Sequence, residues 1–151
     1  MLWRTRRKRG QEGQALVETT FMILAVLLLL MGIIEFGFIF YAYVRVSNAA
    51  REGARAGSLW LMHPKYDTLC EQVEGGVWPE LPLAAQGFVT ITTTLKEGVV
   101  CSVSPTAEAG EPITVTVTYD YPLPFLSALP IIKDVIASPF PVARTVVMRV
   151  Q

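Results

Sequence analysis

Hydrophobic positions fall into two regimes along the chain. From Ala15 to Ile34 they follow one another almost without a break, and from Phe88 onward they tend to alternate with polar ones. A largely apolar stretch of about 20 residues makes a helix of about 30 Å, the thickness of a bilayer's hydrocarbon layer. Between Ala15 and Tyr43 the only side chains expected to carry charge are Glu18 and Glu35. Phe36, Phe38, Phe40, Tyr41 and Tyr43 come next, an aromatic set suited to a headgroup region. No proline occurs from Tyr41 to Leu61, so helix is predicted to continue to about Trp60. Within that second half Ala49, Gly53 and Gly57 recur every four residues and form a smooth stripe on one side. Such a stripe suits close helix packing, either between subunits or against the chain's own domain.

After Pro64 the pattern changes. Tyr66 to Val73 reads as a short helix, followed by a turn-rich connector, EGGVWPELP. Strand character then appears over Phe88 to Leu95, Val99 to Val103, Ile113 to Tyr121 and Val142 to Val150. In the third run Ile113, Val115, Val117, Tyr119 and Tyr121 share one face, while Thr114, Thr116, Thr118 and Asp120 take the other. That is the signature of a half-buried antiparallel strand. A small sheet needs a cover for its apolar face, and the far half of the long helix is the natural one. The expected fold is therefore α+β: a long N-terminal helix, half transmembrane and half amphipathic, packed on a small antiparallel β-sheet domain. In residue terms this means a leader over 1–13, a long helix over 14–61 with its span at about 15–43, and a β-rich domain over 62–151. The segment PLPFLSALPIIKDVIASPFP holds five prolines and reads as a loop. Its Phe125, Leu126, Ile131 and Ile132 form either a contact patch or ordinary core.

Charge adds direction. The net charge is zero, but Arg4, Arg6, Arg7, Lys8 and Arg9 precede Gly13 against a single acid, Glu12. The remainder carries eight Lys and Arg against twelve Asp and Glu, a net of −4. By the positive-inside rule the basic end stays cytoplasmic and the C-terminal region crosses the membrane. A basic run at one end is not the spread of cations that nucleic acid requires, so no nucleic-acid partner is expected. A cleavable secretory signal is disfavoured as well, because the apolar run is too long and no A-x-A site follows it. Two cysteines, Cys70 and Cys101, both lie beyond the apolar run. They are either two separate buried thiols or, after export, a disulfide. The one histidine, His63, stands beside Pro64, and neither a nucleophile motif nor a metal-ligand cluster accompanies it. Neither a catalytic residue, a metal nor a cofactor is expected.

One stretch combines these features. A basic leader, Gly13, four mostly apolar residues, Glu18 and the apolar helix together resemble the N-terminus of type IV prepilins and pseudopilins. More narrowly, residues 13–55, with their LVE, GIIEFG and NAAREGAR pieces, resemble the TadE-like pseudopilins of the tight-adherence (Tad) pilus system. The resemblance implies cleavage by a membrane prepilin peptidase between Gly13 and Gln14, which would make Glu18 the fifth residue of the mature chain. It departs from the family's habit at Thr19, where an aromatic residue is usual, and in having no proline in the first half of the span.

The implied role is a pseudopilin, acting in pilus assembly and adhesion at the bacterial inner membrane as a single-pass protein. Its implied partners are other pilins and pseudopilins of the system, the prepilin peptidase, the inner-membrane assembly platform and the bilayer. Gln14 and Glu18 are i, i+4 neighbours, so the glutamate can meet its own new amine or a neighbour's. Alternatively it sits at the interface, where the helix dipole favours an anion. Glu35 lies about 25 Å further along, near the outer edge of the span, as an interfacial carboxylate or a polar contact between subunits. The competing function is an uncleaved signal anchor that displays a disulfide-bonded β domain as an adhesin or binding module.

Overall fold

A computed structural model describes residues 11–82, 87–95, 99–100, 108–125 and 139–151. One helix, α1, runs without interruption over Gln11–Ser58. A second, α2, covers Leu69–Val77 and passes into a 3-10 turn over Trp78–Glu80. Four strands follow: β1 Val89–Leu95, β2 Val99–Val100, β3 Pro112–Tyr121 and β4 Phe140–Arg149. Among the described residues they form one antiparallel sheet in the order β2-β1-β3-β4. The α+β class and the helix-on-sheet arrangement agree with the expectation from sequence. Residues 1–10, Cys101, Leu126, Ile131 and Ile132 lie outside the described residues.

The alternation in β3 does what a period of two requires. Ile113, Val115 and Val117 are fully buried against α1, while the threonines between them face away. On that outer face Thr116 is paired in register with Thr145 of β4, and their hydroxyls lie 2.9 Å apart. From α1 the sheet receives Val46, Ala49, Ala50 and Ala54, and from α2 Leu69, Val73 and Val77. Small residues on α1 let α2 and β3 approach closely. A Cβ at Gly53 would stand 2.5 Å from Val77 Cγ2, and one at Gly57 2.5 Å from Ile113 Cδ1. The stripe of Ala49, Gly53 and Gly57 thus faces the chain's own domain.

The second helix differs from its sequence reading at both ends. It begins at Leu69 rather than Tyr66 because Thr68 caps it, its hydroxyl accepting from the Glu71 amide at 3.2 Å. It continues through Gly75 and Gly76 to Val77, where EGGV had suggested a turn. Tertiary contact explains the extension: a Cβ at Gly76 would lie 2.7 Å from the Glu52 carbonyl oxygen of α1. The glycines permit the helix–helix approach, and the packing gained outweighs their poor helix propensity of about 1 kcal/mol each.

At the far end α1 stops at Ser58, two residues before the expected Trp60, and its end is tied down. The Gln151 amide donates to the Ser58 carbonyl at 2.8 Å, which joins the segment after β4 to the helix terminus. Buried Gln72 closes the turn that follows: its Nε2 donates to the carbonyls of Ala56 and His63, and its Oε1 accepts from the Lys65 amide. His63 itself is exposed. No sequence pattern singled out Gln72, since a lone glutamine in a short amphipathic helix reads as surface.

Candidate functional site

Gly13, Gln14, Glu18, Glu35, Ala49, Gly53 and Gly57 all lie on α1, and the sheet domain covers only the later ones. From Gly13 to Ile34 the helix has no buried residue, and its most apolar window has a mean hydropathy of 2.7. By length and composition this helix can cross a membrane. The free part is about 22 residues, or about 33 Å, close to one hydrocarbon thickness. Burial begins at Glu35 and then recurs at Ala42, Val46, Ala49 and Ala50 on the face turned to the sheet.

Near the start of the free part, Gly13 and Glu18 are both exposed. A Cβ at Gly13 would meet nothing within 4 Å. Because α1 already begins at Gln11, Gln14 and Glu18 sit one helical turn apart, as their spacing requires. The polar residues after Glu18 are satisfied within the helix: Thr19 donates to the Ala15 carbonyl and Thr20 to that of Leu16, each at 2.8 Å. This back-bonding makes threonine compatible with hydrocarbon, where no water would take the hydroxyl proton. Glu18 has no such internal outlet, and among the described residues no cation pairs with it. It is the polar group of the free helix that needs a partner from elsewhere.

Glu35 is placed quite differently from an interfacial surface carboxylate. It is completely buried, and among the described residues neither carboxyl oxygen has a hydrogen-bond partner. It opens the buried face of α1 beside the end of β3. Burial pushes the Tyr121 phenol above its ordinary range, and the charges of Glu35 and Tyr119 push it further in the same direction. Tyr119 and Tyr121 pack edge to face, with ring centres 5.9 Å apart. The sequence showed a carboxylate near the edge of the span but not its enclosure, because enclosure depends on where the sheet begins to cover the helix.

Two apolar grooves flank α1 at this level. One, of about 190 Å³, lies between Phe38, Tyr41 and Ala42 on the helix and Tyr119, Tyr121 and Leu81 on the domain. Arg45 stands at its rim over the Tyr41 ring, 5.9 Å from the centroid, and 3.8 Å from a Glu80 carboxylate oxygen. That ion pair is half-exposed and long, so its contribution to stability is small. The other groove, of about 310 Å³, lies between Phe36, Ile39, Phe40 and Tyr43 and the start of β4 at Phe140 and Pro141. Cys70 sits half-buried in α2. Among the described residues no group of His, Cys, Asp and Glu could hold a metal ion.

Comparison with known proteins agrees with the segment that the site occupies. Residues 13–55 match the family model described as TadE-like protein. Neither a curated protein nor a solved structure matches the chain. The matched segment contains Gly13, Glu18, Glu35 and the stripe from Ala49 to Gly53, and it ends just before Gly57. The match covers 43 of the chain's 151 residues, so what this chain shares with TadE-like proteins is this one segment.

Proposed function

We propose that the chain is a pseudopilin of a tight-adherence pilus system, made as a membrane-anchored precursor and cut by a prepilin peptidase after Gly13. The observation that carries this reading is Glu18: an exposed carboxylate at the head of a free apolar helix, one turn from the residue that cleavage would make the terminus. Once cut, Gln14 bears an α-amino group. In low-dielectric surroundings an unpaired carboxylate is strongly disfavoured, and pairing with an amine removes much of that penalty. When the amine belongs to a neighbouring pilin, the same pairing sets the register of lateral assembly. The basic residues before Gly13 keep that end on the cytoplasmic side and place the sheet domain across the membrane. Cys70 and Cys101 are then joined there as a disulfide.

Intact-mass measurement on protein from its native host tests the cleavage, with a mature chain beginning at Gln14 as the expected result. A chain that keeps residues 1–13 overturns it and favours an uncleaved anchor displaying its domain. Glu18→Ala is expected to leave cleavage intact while abolishing co-purification with other pilus components, because only the pairing group is lost. Unchanged co-purification would count against the pairing. For the disulfide, Cys101→Ser is expected to lower domain stability by about 3–4 kcal/mol, the chain-entropy value for a closed loop of about 30 residues. An unchanged thermal midpoint under non-reducing conditions would rule the bond out.

A further inference from the structure

We propose that the end of the sheet nearest the free helix is itself a membrane-contact surface, lying in the headgroup layer of the bilayer that α1 crosses. This rests on the reading of α1 as a membrane span. It adds that the domain also binds lipid, through Phe88, Phe125 and Phe140 and through the groove between α1 and the start of β4.

The geometry follows from the register. β3 runs back along α1: Ile113 lies beside Gly57 at one end, and Tyr121 shares a groove with Phe38, Tyr41 and Ala42 at the other. Tyr121 pairs with Phe140, and Val89 pairs with Tyr119. The end of β3 and the starts of β1 and β4 therefore share one edge of the domain, level with the first buried turns of α1. Below that level the free helix is about 33 Å long, enough to fill the hydrocarbon layer once. The edge of the sheet consequently stands at the boundary between hydrocarbon and headgroups.

The residues at this level match that position. The chain has seven phenylalanines, of which four are on α1. Of the other three, Phe88 directly precedes β1, Phe125 closely follows β3 and Phe140 begins β4, all at this one edge, and all are exposed, by 42–49%. A phenyl ring has no polar handle, so three of them displayed to water at one end of a small domain would be a liability. In the interfacial region of a bilayer the same rings are favourable. They continue the exposed collar on the helix, where Phe36 is 69% and Phe40 60% accessible. The larger groove joins the two sets, with Phe36 and Phe40 on one wall and Phe140 and Pro141 on the other. Its lining holds no charged side chain and its volume is about 310 Å³, which suits a stretch of hydrocarbon chain. Continuity with the span decides the occupant: the lipid that surrounds Ile33 and Ile34 extends into the groove without any further partner.

Lipid photocrosslinking on the full chain in phosphatidylcholine–phosphatidylglycerol nanodiscs tests this. The photoreactive residue p-benzoylphenylalanine is placed in turn at Phe140, Phe88, Leu28 and Val147, all exposed positions. Leu28 reports on the span, and Val147 reports on the part of β4 farther from the bilayer. Expected are lipid adducts at Leu28, Phe140 and Phe88, each exceeding the yield at Val147 by at least about tenfold. Adducts at Leu28 with none at Phe140 and Phe88 would overturn the proposal and leave the membrane span standing. Adducts to a second protein chain at Phe140 and Phe88 would also overturn it, by making the occupant protein. Absence of adducts at Leu28 would instead remove the span, and with it the premise.

Discussion

Gly76→Ala is expected to destabilise the domain by about 2 kcal/mol, whereas Gly57→Ala should change its stability by less than about 1 kcal/mol. Both positions are helical glycines in close contact, and both substitutions gain about 1 kcal/mol of helix propensity. They differ in what the new methyl group meets. At Gly57 it meets Ile113 Cδ1 at 2.5 Å and Val73 Cγ2 at 2.8 Å, side-chain atoms that can turn aside. At Gly76 it meets the Glu52 carbonyl oxygen at 2.7 Å and the Ala56 Cβ at 2.9 Å. Backbone cannot rotate away, so α2 must shift as a body and loosen Leu69, Val73 and Val77 in the core. Thermal melts of the full chain in detergent, followed by circular dichroism, will rank the two. Equal losses would mean that the approach of α2 to α1 is not limited by backbone contact.

Glu35→Leu is expected to stabilise the protein by about 1–3 kcal/mol, against the usual direction for a core substitution. Leucine has nearly the same bulk and removes two buried oxygens that have no hydrogen-bond partner among the described residues. Glu35→Gln should stabilise less, since an amide keeps its need for partners. The same thermal measurement decides it. A loss of stability in Glu35→Leu would show that the carboxyl contributes a contact to the folded domain. A gain would mean that the fold carries this glutamate at a cost, and that its use lies outside the stability of the single chain.

The sequence made the long elements readable because each has one dominant period. Alternation placed Ile113, Val115 and Val117 inward, and the absence of proline carried α1 past the aromatic residues to Ser58. The head of the candidate site was equally readable, because the spacing from Gly13 to Glu18 is a local property of one helix. Features set by tertiary contact were not. EGGV reads as a turn until Gly76 is seen against Glu52, and Ala49, Gly53 and Gly57 have two equivalent uses until α2 and β3 fill the space beside them. Glu35 belongs to the same class: its position along the helix could be counted, but its enclosure could not. Gln72 left no pattern at all, because its three hydrogen bonds go to backbone groups up to sixteen residues away.

The bond from Gln151 to the end of α1 bears on how the protein would carry a pulling load. Helix and strands lie side by side, with β4 pointing the same way as α1 and β3 the opposite way. Tension applied along the anchor helix therefore reaches the sheet parallel to its strands. The ten paired positions of β3 and β4 are loaded in shear and must yield together, instead of unzipping one by one. The bond from the Gln151 amide to the Ser58 carbonyl ties the segment after β4 to the end of α1. A domain built this way resists force applied along its strands far better than force applied across them.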